Sequence, residues 1–287
     1  MIKNLNKKMS KIKQTQKLDE QCKQLRVPAI GEWIVMEADQ CASGNISYIQ
    51  FLERTFGKML GEKEKKYLEA QIKNAQLPNR HDLAQFDCSL VEGISPIALS
   101  QLKELTWVDQ SINLIIMGPP GVGKTMLSAG LCHHAIQSGY KAYFRKMDAL
   151  TTTLIKKDIN RSCAIEYRRL LKANLVVIDD IMMIEPDSRK ANAFFHFINE
   201  IYESASIIIT TNKSPSNWVE KLGDEVLTAA ILDRILHHSE IINLAGESQR
   251  RLSKREGFSL NSPSPYQRMA LLLRGLFYTP MSDVISI

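Results

Sequence analysis

The chain has 287 residues, of which 44% are hydrophobic, and it carries a formal net charge of +6 with a pI near 9.0. This length accommodates one domain of about 150 to 200 residues and a smaller appendage, and the apolar content is that of a packed globular protein. No apolar run approaches the roughly 18 residues that span a bilayer, and the lysine-rich N-terminal residues lack the apolar stretch and cleavage site of a secretory signal, so we expect a cytoplasmic protein without a membrane segment. The excess of Lys and Arg over Asp and Glu is consistent with either a nucleic-acid partner or a mildly basic soluble enzyme.

The N-terminal part of the sequence predicts two segments. Residues 1–26 contain eight Lys or Arg and few apolar residues, so we expect a flexible basic arm. Between residues 47 and 72, apolar residues recur mostly at three- and four-residue steps, which is typical of amphipathic helices. Residues 27–80 are therefore predicted to form a small helical domain for oligomerisation or partner docking.

From residue 114 onward the pattern changes to short apolar runs separated by helical stretches. Such alternation predicts an α/β fold with a mostly parallel sheet covered on both faces. We assign residues 81–253 to this domain and residues 254–287 to a partly disordered tail. The runs are Leu114–Met117, Ala142–Phe144, Leu175–Ile178, Ile207–Ile209 and Ile241–Leu244.

The segment after the first run fits the phosphate-binding pattern G-x-x-x-x-G-K-[ST]. It lies directly after an apolar strand and before a helical stretch, as this motif requires. Backbone N–H groups of such a loop and the helix N-terminus bind phosphates, the lysine reaches the β- and γ-phosphates, and the threonine hydroxyl ligates Mg²⁺. The loop consists of Gly118, Pro119, Pro120, Gly121, Val122, Gly123, Lys124 and Thr125.

Two later runs end in polar residues. The third run ends in Asp179 and Asp180, so we expect Asp179 to hold Mg²⁺ and Asp180 to orient or deprotonate the attacking water. The fourth run ends in Thr210-Thr211-Asn212, of which Asn212 is the preferred candidate for contacting the γ-phosphate or the water. Asparagine at a strand end is also an ordinary turn former.

These residues resemble the AAA+ ATPases of the IstB type, helper proteins of insertion-sequence transposition that are related to DnaC-type helicase loaders. The resemblance is carried by the loop and strand ends above, by Trp218, Gly223-Asp224, and Ala229–His238, and by Gly246–Ser248. It implies a P-loop NTPase of the AAA+ type with a parallel five-stranded sheet. It also implies an oligomer that uses ATP and Mg²⁺ on double-stranded DNA and presents the target to the transposase of the same element.

The resemblance further implies individual roles. Asp179 and Asp180 correspond to the Walker B pair, Asn212 to sensor 1, and Arg234 to an arginine finger that enters the neighbouring subunit's site. Two features depart from the family pattern. Asp180 stands where many AAA+ proteins have glutamate, and only Arg250 and Arg251 are candidates for the sensor 2 arginine.

A group of basic residues lies between the second and third runs, where related loaders and initiators carry helices that line DNA. Contact with phosphates needs only placed positive charge, so this group predicts sequence-independent DNA binding, with a solvated charged surface as the alternative. Its members are Lys156, Lys157, Arg161, Arg168, Arg169 and Lys172.

Three other functions fit parts of the sequence. A replicative helicase loader would use the same ATPase core and dock its N-terminal domain on a helicase. A small-molecule kinase would need an arginine-rich lid and an acceptor pocket, neither of which is visible. A DNA-binding module could use ATP only for assembly, with little hydrolysis.

Overall fold

One parallel sheet of five strands organises the larger part of the chain in a computed structural model, which describes residues 2–44, 46–79, 81–183, 187–218 and 225–246. The strand order is β2-β3-β4-β1-β5, and every neighbouring pair is parallel. All five predicted strands are confirmed, and β4 lies between β1 and β3. The strands are β1 (Asn113–Met117), β2 (Ala142–Lys146), β3 (Leu175–Asp179), β4 (Ser206–Thr211) and β5 (Ser239–Asn243).

Ten α-helices lie within the described residues. Three precede the sheet region, two lead into β1, and five lie after β1. Their bounds are α1 (Ile2–Gln24), α2 (Gly31–Ser43), α3 (Tyr48–Ala75), α4 (Pro96–Lys103), α5 (Thr106–Asp109), α6 (Lys124–Gln137), α7 (Met147–Lys156), α8 (Arg161–Leu170), α9 (Ser188–Ile201) and α10 (Glu225–His237).

The sheet has an apolar core on each face, because successive side chains of a strand point to opposite sides. Leu114 and Ile116 of β1 pack in one cluster with residues of α4 and α6. Ile115, between them, packs in the other cluster with residues of α7 to α10, among them Phe194 and Phe197. The sheet is thus covered on both sides, as the unbroken apolar runs predict.

The N-terminal region is helical, as predicted, but it begins earlier than the sequence analysis expects. Residues 2–24 form α1, which packs on α2, whereas the flexibility predicted for the basic arm over residues 1–26 stays a prediction. The Gly31 backbone N–H at the start of α2 donates to Asp19 Oδ1 at 3.0 Å, and Cys22 is buried. The packing of α1 on α2 has a physical reason: the apolar residues of α1, although few, include Leu18 and Cys22 one turn apart. The limits of the N-terminal domain stay a prediction.

Several predictions fall on residues outside the described ranges. These are the tail over residues 254–287, the candidates Arg250 and Arg251, and the Gly223-Asp224 and Glu247-Ser248 parts of the family resemblance. Within the described ranges, no helix combines the length and apolar character needed to cross a membrane.

Candidate nucleotide-binding site

The phosphate loop connects β1 to α6, which is the strand-loop-helix context that its sequence predicts. Gly123 directly precedes α6 with φ +106°, and Gly118 has φ +148°. A Cβ on Gly118 would come within 2.1 Å of the Leu244 carbonyl oxygen, so the backbone there approaches the residue that follows β5 as closely as only glycine allows. The loop therefore presents backbone N–H groups at the N-terminus of a 14-residue helix, an arrangement that attracts anions.

The side chains of Lys124 and Thr125 point to the same end of the sheet. The Lys124 ammonium donates to the carbonyl oxygens of Gly118 at 2.7 Å and Pro119 at 2.9 Å. The Thr125 hydroxyl donates to Asp179 Oδ1 at 3.0 Å, although 54 residues separate the two in sequence. A hydroxyl and a carboxylate brought together in this way are oxygen ligands of the kind that Mg²⁺ prefers, so the donor set fits the predicted metal.

The two aspartates at the end of β3 differ in their surroundings. Asp179 is buried, with 6% of its surface exposed, whereas Asp180 is exposed and has φ +57°. Partial desolvation and the neighbouring Asp179 raise the pKa of Asp180, while Lys124 and Lys146 oppose that shift. Asp180 is thus a carboxylate with a raised pKa in reach of solvent, which suits a group that accepts a proton from water.

A cavity of about 350 Å³ joins these groups and has the size of a small-ligand pocket. It collects the loop residues, Asp180 and Asn212, as the sequence analysis expects, although the individual roles stay predictions. It also includes Thr210 and Pro78, which were not predicted from the sequence. The lining residues are Pro78, Pro120, Gly121, Gly123, Lys124, Thr125, Met126, Asp180, Thr210 and Asn212.

Thr210 is the polar residue that sequence reasoning missed at this site. Its hydroxyl donates to Asp179 Oδ1 at 2.7 Å and accepts from the Asp180 backbone N–H at 2.8 Å. Only 1% of its surface is exposed. The available signal was a hydroxyl at the end of an otherwise apolar run, but Thr211 gives the same signal and bonds instead to Lys213.

Arg234 lies away from this cavity. It lines a second cavity, of about 230 Å³, together with Asn113 and Ile207 at the amino ends of β1 and β4. Its guanidinium donates to Asn199 Oδ1 and, at 2.9 Å, to the Ala230 carbonyl oxygen. Arg234 therefore does not join the phosphate loop of its own chain, and its role as an arginine finger stays a prediction.

The six predicted DNA-contacting residues lie on α7, on α8 and on the turns that follow them. Four are exposed, namely Lys156, Arg161, Arg168 and Lys172. The other two are half-buried and contact side chains of α8. The Lys157 ammonium lies 4.0 Å from the centre of the Tyr167 ring, and Arg169 pairs with Glu166 at 2.8 Å.

The strand order, the phosphate loop and the acidic end of β3 define a P-loop nucleotide-binding protein of the AAA+ type. The chain belongs to the family of IstB-like ATP binding proteins, which its sequence matches over residues 20–257. It is 35% identical to an insertion sequence IS21-like ATP-binding protein of Bacteroides fragilis over 88% of this chain and 95% of that one. It is 36% identical to the IS5376 ATP-binding protein of Geobacillus stearothermophilus over 84% and 96%.

The chain also resembles proteins of solved structure. AMPPCP-bound DnaA from Aquifex aeolicus is 18% identical, with 68% of this chain and 61% of that chain covered and a TM-score of 0.49. DnaI is 19% identical, with coverage of 61% and 95% and the same TM-score.

Proposed function

We propose that this protein is an ATP-dependent, DNA-binding helper of transposition that assembles on target DNA and recruits or stimulates its partner transposase, with ATP hydrolysis as the switch. The observation that carries the proposal is the convergence of Lys124, Thr125, Asp179 and Asp180 at one edge of the sheet, over a cavity of about 350 Å³. Membership of a family of insertion-sequence ATP-binding proteins supports the biological setting.

Each group in the pocket has a part in hydrolysis. The N–H groups of the loop and Lys124 bind the β- and γ-phosphates, and Thr125 and Asp179 would hold Mg²⁺. When bound, Mg²⁺ neutralises charge on the phosphates. Asp180 orients the attacking water and accepts its proton, and Asn212 contacts the γ-phosphate or the water from the side. The raised pKa of Asp180 makes it a better base than an ordinary aspartate.

The placement of Arg234 supports a site that two subunits complete. Its guanidinium is held by Asn199 and by the Ala230 carbonyl, and it stands 5.1 Å from the centre of the Phe195 ring. A pre-oriented guanidinium that reaches the γ-phosphate of a neighbour stabilises charge in the transition state, by a factor on the order of 10³ to 10⁵ in related phosphoryl transfers. Hydrolysis then belongs to the oligomer.

The exposed basic residues of α7 and α8 provide the DNA contact in this proposal. They are Lys156, Arg161, Arg168 and Lys172, and they belong to neighbouring elements that pack on one another. Phosphate contacts require positive charge but not a particular base, so binding is expected to be sequence-independent and to weaken with salt.

A helicase loader would use the same ATPase core. The partner protein, transposase or replicative helicase, therefore distinguishes a transposition helper from a loader. The test measures particle size and phosphate release on duplex DNA with ATP or ADP, before and after addition of the transposase. We expect a larger complex with ATP than with ADP, DNA-stimulated phosphate release, and a further change with transposase. Lys124→Ala is the control without nucleotide binding. A parent protein that forms no ATP-dependent complex on DNA would contradict the proposal, and a response to a replicative helicase instead of the transposase would favour the loader.

A further inference from the structure

Thr210 joins the two acidic residues of the site. We propose that it is a positioning residue, whose hydroxyl fixes the Asp179 carboxylate and holds the Asp180 backbone so that the Asp180 side chain faces the pocket. The inference rests on the proposed ATPase function and concerns a residue other than the predicted Asn212, which lines the same cavity.

The strand order explains why β4 supplies this residue. The phosphate loop follows β1 and the aspartates end β3, and β4 is the strand that separates them. Thr210 pairs with Ile116 of β1, one residue before the end of that strand. On the other side, Ile209 pairs with Ile178, so the next residue along β4 comes level with Asp179. A polar side chain at this position can therefore reach the end of β3 from within the sheet.

The hydrogen bonds of the Thr210 hydroxyl have one possible direction. The Asp180 backbone N–H is a donor, so the hydroxyl oxygen accepts from it at 2.8 Å. The hydroxyl therefore uses its single proton to donate a hydrogen bond to Asp179 Oδ1 at 2.7 Å. Thr125 donates to the same carboxylate oxygen at 3.0 Å, so Asp179 is held from both sides. Two donors fix the plane of the carboxylate that would hold the metal.

The backbone conformation of Asp180 gives a further role to the hydrogen bond between its N–H group and the Thr210 hydroxyl. Asp180 has φ +57°, in the left-handed region, which L-residues rarely adopt. Such a conformation persists only where the surroundings hold it. The bond to Thr210 holds the turn at its first residue, directly where the chain leaves β3. Loss of this bond would let the turn relax and move the Asp180 carboxylate.

Removal of the hydroxyl with retention of shape tests the proposal. In Thr210→Val, β-branching and volume are kept, whereas both hydrogen bonds are lost. A misplaced catalytic group can cost about 10²-fold in rate, so we expect kcat to fall at least about tenfold, with KM for ATP changed less than about threefold. The Mg²⁺ concentration for half-maximal ATP binding should also rise. Thr210→Ser keeps the hydroxyl and should stay near the parent in both measurements.

A matched control separates positioning from stability. Thr55 is also buried, and its hydroxyl donates to the Phe51 carbonyl oxygen at 2.8 Å within α3, not at the strand ends that form the site. Thr55→Val should lower thermal stability about as much as Thr210→Val without changing kcat or the Mg²⁺ requirement. If the valine variant at Thr210 does not fold, Thr210→Cys replaces it, because a thiol keeps the size and hydrogen-bonds only weakly.

The outcomes distinguish this inference from the proposed function. A parent protein that binds ATP with Mg²⁺ but releases no phosphate on DNA contradicts the proposed function, and the Mg²⁺ requirement of the variants still tests Thr210. If the parent hydrolyses ATP and Thr210→Val matches it within twofold in kcat and in Mg²⁺ requirement, the positioning role is overturned. The same holds if Thr210→Ser is impaired as strongly as Thr210→Val, because shape and not the hydroxyl would then matter.

Discussion

The buried ion pair between Arg145 and Glu166 allows us to predict how much one substitution lowers the free energy of unfolding. Arg145, on β2, has 3% of its side chain exposed, and Glu166, on α8, has 13%. The guanidinium also donates to the carbonyl oxygens of Ala75 at 2.7 Å and Asn74 at 3.0 Å, at the C-terminal end of α3. One buried side chain thus ties the N-terminal helices, the edge of the sheet and the basic helix α8 together.

Glu166→Gln removes the counter-charge and keeps the shape. Burial lowers the pKa of Arg145, and the charge of Glu166 is the main effect that opposes this shift. Without the carboxylate, the buried cation is compensated only by carbonyl dipoles. Loss of one partner of a buried pair costs about 3–5 kcal/mol, and the slight exposure of Glu166 favours the lower end. We therefore expect the free energy of unfolding to fall by about 3 kcal/mol, which is a large part of the stability of a typical domain.

Urea unfolding followed by circular dichroism measures this change. The matched control is Glu62→Gln, which breaks the exposed pair between Lys58 and Glu62 on α3, where the side chains are 43% and 34% exposed. Exposed pairs contribute at most about 1 kcal/mol. The difference between the two variants should persist at high salt, because buried charges are screened less than exposed ones. If Glu166→Gln costs no more than Glu62→Gln, the carbonyl oxygens alone compensate the buried guanidinium, and the expected cost of losing its counter-charge is wrong.

Three further predictions concern function. The Asp180→Asn variant should bind ATP and DNA but hydrolyse ATP slowly. In the parent protein, turnover should fall as the pH drops through the raised pKa of Asp180, because the base is then protonated. The variant should lack this pH dependence. Arg234→Ala mixed with Lys124→Ala should recover part of the phosphate release that each lacks alone, and no recovery despite co-assembly would count against an arginine from the neighbour. Glutamine at the four exposed basic positions of α7 and α8 should reduce the log-log salt slope of DNA binding by roughly one unit per lost contact, whereas the same change at three exposed lysines of α3 should leave it unaltered. The first set is Lys156, Arg161, Arg168 and Lys172, and the control set is Lys63, Lys65 and Lys66.

Local sequence patterns were sufficient for the strands and the phosphate loop, because both depend on neighbouring residues. They were insufficient where distant segments meet. Arg145 follows the apolar run Ala142–Phe144 and reads as the polar end of a strand, yet it is buried because α3 brings two carbonyl oxygens to it. Thr210 and Thr211 are indistinguishable in sequence, and only the position of β4 between β1 and β3 assigns the bridging role to Thr210. Strand order is a tertiary property that the local pattern does not contain.

The distance between Arg234 and the phosphate loop bears on how the active site is completed. Arg234 shares a cavity with Asn113, the first residue of β1, whereas the loop begins at Gly118, directly after the last. A five-residue strand rises about 16 Å along its length, more than an arginine side chain extends from its backbone. Arg234 is also anchored at the far end by Asn199. Within one subunit, therefore, Arg234 cannot act on the phosphate that its own Lys124 binds, and any catalytic contribution from it requires a second copy of the chain.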